Sequence, residues 1–253
     1  MTPWITKPVP FNIGQGAAVA EAGATTYPDS FGTDGNATTD GVTINTSDQK
    51  IGDGCISCST DKENVIIANA QVLTSGTGDF TYSMWINFAS FGAANQEILR
   101  ETSTPGNPSY EALYGGAGKI IINGVDLVST SALSVDTWYL LQSVRSGGTE
   151  TSYLNYDAHT VSNGSPSTIR TSDEWGIGGR PNESEGFGGL IDSVVVFHRA
   201  LTDQERSDIY ASGSPSTIAE TFTTLASRDE LKLWYSCDAL SGSDLINDAI
   251  PVT

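Results

Sequence analysis

Basic residues are scarce. The chain carries 12 Lys and Arg against 30 Asp and Glu, a formal net charge of -18, yet only 17% of its 253 residues are charged. The imbalance is therefore a shortage of bases more than an excess of acids. A surface of that sign repels phosphate backbones and anionic headgroups, so no nucleic acid and no membrane surface is expected as a partner. No apolar run approaches the roughly 18 residues of a membrane span, so no membrane insertion is expected. The opening stretch Met1–Pro10 has three prolines, one lysine and no apolar centre, and is not expected to be a secretory signal. Three cysteines are too few for a disulfide scaffold. Cys55-Ile-Ser-Cys58 lacks the second ligand pair that zinc requires, and the two histidines, His159 and His198, lie far from it in the chain. On a strand the two sulfurs point to opposite faces, one of them as a small core residue. A Cys58–Cys237 bridge stays open.

Long helical periodicity is also nearly absent. Glycine is abundant, at 27 residues, and short β-type runs recur between Gly, Pro, Asn and Asp. These runs are 55–59, 65–68, 80–88, 97–101, 110–114, 119–122, 125–128, 138–145, 151–156, 174–177 and 190–198. Ile122-Asn-Gly-Val125 has the chemistry of a type I′ hairpin. About a dozen strands without intervening helices predict an all-β, two-sheet antiparallel sandwich. One short helix is expected near the C-terminal end, opened by the capping box Thr202-Asp-Gln-Glu205, carrying an apolar stripe of Leu201, Ile209 and Tyr210, and stopped at Gly213. The chain divides into a proline-rich arm (1–24), the sandwich (25–212) and a C-terminal extension (213–253). Gly-Ser-Pro-Ser-Thr-Ile occurs at 164–169 and 213–218 as reused turn chemistry.

The order of the runs resembles that of laminin-G-like, concanavalin A-like lectin and glucanase domains. The resemblance rests on Asp79-Phe-Thr-Tyr-Ser-Met-Trp-Ile-Asn-Phe88, Glu97-Ile-Leu-Arg-Glu101, Asp136-Thr-Trp-Tyr-Leu-Leu-Gln142, Thr151–Asn155 and Ile177-Gly-Gly179. Its most specific part is Phe187–Glu205, where Gly-Leu-Ile-Asp192 leads into Arg-Ala-Leu and the capped helix. It implies a jelly-roll sandwich that binds glycans or proteins. Two departures stand out. Trp-Tyr-Leu follows the Asp136 turn, where the family often has Trp-His-His. A strand like the family's opening strand, Leu231–Asp238, lies near the C-terminus, where it either completes this sandwich or pairs with a neighbouring subunit.

Asp192 is the foremost site candidate. Strict alternation places it on one face with Val194 and Val196, and a buried carboxylate must be hydrogen-bonded or metal-bound. The resemblance implies a structural Ca²⁺ at that position; the alternative is an Asp that caps backbone amides. Asp34, Asn36 and Asp40, at alternate oxygen-bearing positions of Asp34–Asp40, are further candidates for calcium, a hard cation that takes oxygen ligands. Loop aromatics and acids, Tyr110, Trp175, Phe187, Glu183 and Glu185, are candidates for a glycan site, because sandwiches carry specificity in loops. Trp85 and Trp138 are read as structural.

Hydrolysis is not expected. Glu97 and Glu101 share a strand face but sit about 13 Å apart by strand rise, beyond the roughly 5 Å that retaining glycosidases need. The intervening position that glucanases fill with Asp is Leu99. No Gly-x-Ser-x-Gly elbow or phosphate loop occurs. The leading expectation is a non-catalytic binding domain displayed on an outer surface and adhering to a glycan or surface polymer. The alternative is a virion or other assembly component, a homo-oligomer docking onto other virion proteins, localised to the virion or an extracellular surface. A polysaccharide hydrolase or lyase is third.

Overall fold

The computed structural model describes residues 37–59, 63–68, 76–91, 96–102, 108–115, 119–122, 125–129, 133–163, 174–179, 186–211, 230–235, 237 and 244–245. In chain order the strands are β1 (Ala37–Asp40), β2 (Thr43–Asn45), β3 (Cys55–Cys58), β4 (Asn64–Ala68), β5 (Phe80–Phe88), β6 (Gln96–Thr102), β7 (Pro108–Gly115) and β8 (Lys119–Ile122). They continue as β9 (Val125–Ser129), β10 (Trp138–Ser146), β11 (Thr149–Leu154), β12 (His159–Asn163), β13 (Glu174–Ile177) and β14 (Gly189–Phe197). Helix α1 (Asp203–Ala211) precedes β15 (Leu231–Tyr235) and β16 (Asp244–Leu245).

Two antiparallel sheets form. The first runs β16-β1-β4-β13-β6-β7-β8-β9 and the second β12-β11-β10-β5-β14-β3-β2, with β15 also on β14. Between them lies the main core, where Phe80, Tyr82, Met84, Ile86 and Phe88 of β5 meet Val65, Ile67, Trp175 and Ile177 of the first sheet. Alternation on β5 makes this possible, since every second residue is large and apolar. The other face of β5 is also covered. All nine of its residues are buried, and Trp85 joins a second apolar cluster with Leu140, Val195, Phe197, Leu201, Ile209 and Trp234. The all-β sandwich with one helix is thus the observed architecture. Ile122 pairs with Val125 across Asn123-Gly124, as the hairpin signal required.

The segment after α1 returns to the same sandwich. Val194, Val195 and Val196 pair with Tyr235, Trp234 and Leu233, while Gly189, Leu190 and Ile191 pair with Cys58, Ser57 and Ile56. One edge of β14 is therefore shared end to end by β3 and β15, and the late strand closes its own chain's sheet. β16 pairs with β1 at the edge of the first sheet, so the C-terminal segment supplies a strand to each layer.

Cys55, Cys58 and Cys237 are buried thiols, and none of them forms a disulfide among the described residues. Burial, reinforced by nearby carboxylates, pushes the Cys55 and Cys58 thiols up to about 12, so both are protonated and unreactive at neutral pH.

Gly189 opens β14 where the backbones run closest. A Cβ built there would lie 2.1 Å from the Asn87 carbonyl oxygen and 2.9 Å from the Phe187 ring. Only a residue without a side chain lets β14 join β5 at this point. Gly189→Ala is expected to destabilise the protein by about 3 kcal/mol through overpacking against backbone. A urea midpoint equal to the parent's contradicts this contact.

Candidate functional site

A bulge in β14 decides where Asp192 points. Asp192 pairs with Trp85 and Val195 with Ser83, so Ser193 and Val194 have no direct partner on β5, and Ser193 takes a φ of 47°. The extra residue breaks the alternation of period two. Val194 and Val196 consequently face the main core, while Asp192 lies opposite Trp85 on the outer face of the second sheet. The expected sharing of one face by residues 192, 194 and 196 does not occur, because the bulge intervenes.

The Asp192 side chain is fully buried, and its Oδ2 accepts hydrogen bonds from the amides of Lys50 and Ile51, both at 2.9 Å. Ile51 thereby enters the second apolar cluster, and the Lys50 ammonium sits 4.4 Å from the centre of the Trp85 ring. Trp138 packs on the same cluster and donates its Nε1–H to the Asp48 carbonyl at 3.1 Å. The carboxylate thus fastens residues 48–51 over an aromatic face that holds Trp85, Trp138 and Trp234.

Helix α1 covers the remainder. Its capping box forms as read: Thr202 N–H donates to Glu205 Oε2 at 2.8 Å, and Thr202 Oγ1 accepts from Glu205 N–H at 3.2 Å. Glu205 also accepts both guanidinium hydrogen bonds of Arg199, at 2.7 and 2.9 Å. Partial burial is the largest influence on Glu205 and pushes its pKa up, but the bonds from Arg199 and Thr202 together outweigh it and hold the group below the usual carboxylate range. Arg206 is buried with its guanidinium 3.7 Å from the Tyr153 ring centre and paired to Asp203 at 2.8 Å. Ile209 is buried in the cluster, but Tyr210 is 40% exposed. One residue further along a helix turns the side chain by about 100°, which removes Tyr210 from the expected buried stripe. Its ring lies near-parallel to Trp85, at 6.1 Å and 19°.

The loop candidates fare differently. Trp175 lies in β13, not in a loop, and is buried against Tyr82 at 5.1 Å. Phe187 packs edge-on against Phe88 at 5.3 Å and is fully buried. Neither ring has a face for a sugar, because both are packed into the main core. Tyr110 occupies β7, paired with Glu101, and Asp40 ends β1, paired with Asn64; their side chains fall outside the described set. Glu183, Glu185, Asp34 and Asn36 lie outside the described residues.

Asp192 Oδ2 takes up the Lys50 and Ile51 amides, the capping arrangement offered as the alternative to a metal, and no group of three or more His, Cys, Asp or Glu converges among the described residues.

On the first sheet, β6 also bulges. The register shifts between Glu97 and Leu99, which brings buried Glu97 into an ion pair with Arg100. Glu101 lies in register with Trp175 and Arg100 with Gly176; the side chain of Glu101 falls outside the described set. Leu99 is buried in the core.

Together these features define a two-sheet lectin-like sandwich with a helix sealing its outer face. The chain belongs to the concanavalin A-like lectin/glucanases superfamily, whose family model matches residues 59–205, more than half its length. Among solved structures it is similar to domain 4 of the extracellular arabinanase AbnA from Geobacillus stearothermophilus in complex with arabinotriose. That likeness has a TM-score of 0.53 and 16% identity over 69% of this chain and 86% of that one. It is also similar to Trypanosoma rangeli sialidase in complex with 2,3-difluorosialic acid, with a TM-score of 0.52 and 11% identity over 70% of this chain. The match spans 32% of the sialidase. At these identities the likeness shows the fold. No curated protein matches the sequence. Among the described residues no helix is long and apolar enough to cross a membrane.

Two outcomes test the site's construction. Asp192→Ala strands two buried amides and is expected to cost about 3 kcal/mol or more, with Asp192→Asn, which keeps an acceptor, costing less. Denaturant midpoints check the order. Because the Glu205 pKa is depressed in the folded state, its contribution is present above the ordinary carboxylate value and is lost as pH falls through the depressed one. Glu205→Gln should therefore flatten the fall in melting temperature between about pH 5 and pH 3; an unchanged profile contradicts the assignment.

Proposed function

We propose that this protein is a non-catalytic, surface-displayed domain that adheres to a glycan or surface polymer. The observation that carries the reading is the state of the strand on which a superfamily glucanase would need its carboxylates. Glu97 is held by Arg100 in a buried pair, and Leu99 faces the core. A general acid and a nucleophile about 5 Å apart cannot be assembled from these groups. Membership of a superfamily of lectins and glucanases supports the glycan part, as does the fold shared with an arabinanase domain in complex with arabinotriose.

An assembly role on a virion, with homo-oligomers and other virion proteins as partners, is the second reading. Its support from the displaced C-terminal strand is reduced, since β15 is already paired with β14 of its own chain. Calcium enters the proposal only as a stiffener of the Asp34–Asp40 segment. A broad glycan array in calcium and in EDTA, beside reducing-end assays on the bound polymers, tests the reading. Retention of at least one glycan with no release of reducing ends is expected. Silence across the array in folded protein, or turnover of a polymer, overturns it.

A further inference from the structure

Two features meet around Trp85 on the second sheet's outer face. The first is aromatic: Tyr210 is 40% exposed and is backed by the near-parallel ring of Trp85. The exposed ring is a platform for the apolar face of a sugar. The second is a cation. Five of the seven described Lys and Arg residues, Arg100, Lys119, Arg199, Arg206 and Lys232, have a carboxylate in an ion pair. Lys50 has none among the described residues, and its ammonium rests over Trp85 at 4.4 Å. An ammonium without a carboxylate is conspicuous in a chain with 30 acids.

We propose that this corner is a subsite for a carboxylate-bearing sugar unit of an acidic polysaccharide. The carboxylate pairs with Lys50 Nζ, and the ring stacks on Tyr210. Asp192 is a positioning residue here, because its bonds to the Lys50 and Ile51 amides set the lysine over the tryptophan. The net charge of -18 repels a polyanion at long range, but at 0.15 M salt the screening length is about 8 Å, which leaves contact pairing largely intact. The proposal rests on the glycan-binding reading above and narrows it to one site and one ligand class.

Immobilised polygalacturonate and its carboxyl-reduced, neutral counterpart are the probes, with the full chain at 0.15 M salt. The parent is expected to bind the acidic polymer at least tenfold more tightly than the neutral one. Tyr210→Ala should weaken binding to the acidic polymer by tenfold or more. Lys50→Met, which keeps the stem over Trp85, should abolish the preference for the acid form. Circular dichroism melts check that both variants fold. If the parent binds other glycans but neither probe, or if both variants bind like the parent, the subsite is wrong and the glycan reading stands. If the parent binds no glycan at all, both fall.

Discussion

A single buried carboxylate organises one whole face of this molecule. Asp192 sits in β14, the strand that pairs with β5 on one side and with both β3 and β15 on the other. Its charge is tolerable in the interior because two amides point at one oxygen, and charge-assisted bonds of that kind are about twice as strong as neutral ones. Those amides belong to residues 50 and 51, remote in sequence, so the interaction closes a long loop onto the sheet. The bulge at Ser193 is the enabling distortion. Without it Asp192 would share a face with Val194 and Val196, so either the carboxylate would enter the main core or both valines would leave it.

The sandwich itself was readable from the chain. Alternation along Phe80–Phe88, the Asn-Gly hairpin and the Thr202 capping box each encode local structure in a few consecutive residues, and each appears where the pattern put it. The site was less legible because bulges have no strong sequence signature. One extra residue in β14 moved Asp192 to the opposite face, and the register of β6 shifts between Glu97 and Leu99. Trp175 and Phe187 looked like loop aromatics among glycines and polar residues, but strand register buries Trp175 and packing against Phe88 buries Phe187. Lys50 left one trace: it is the sole base between Lys7 and Lys62. Its contact with Trp85 depends on tertiary structure and could not be seen in one dimension.

The two outer faces have different chemistry. On the first sheet, Glu97 is committed to Arg100, and a carboxylate fixed in a buried pair makes a poor acid or nucleophile. On the second, aromatic side chains, an ammonium with no ion-pair partner among the described residues and a helix anchored by Arg206 and Glu205 form a rigid, partly apolar surface. Binding without turnover suits that division, since recognition needs stiff platforms and complementary charge, whereas hydrolysis needs two free carboxylates at fixed separation.

The most direct test of this account is hydrogen exchange at the Lys50 and Ile51 amides, resolved by NMR. Both belong to a loop and would ordinarily exchange quickly. If Asp192 holds them, they exchange as slowly as the β5 and β14 ladder amides and open only with global unfolding. Exchange at the rate of neighbouring exposed amides, such as those of Ser47 and Asp48, would show that the carboxylate does not fasten this segment, and the organisation built on it would fail.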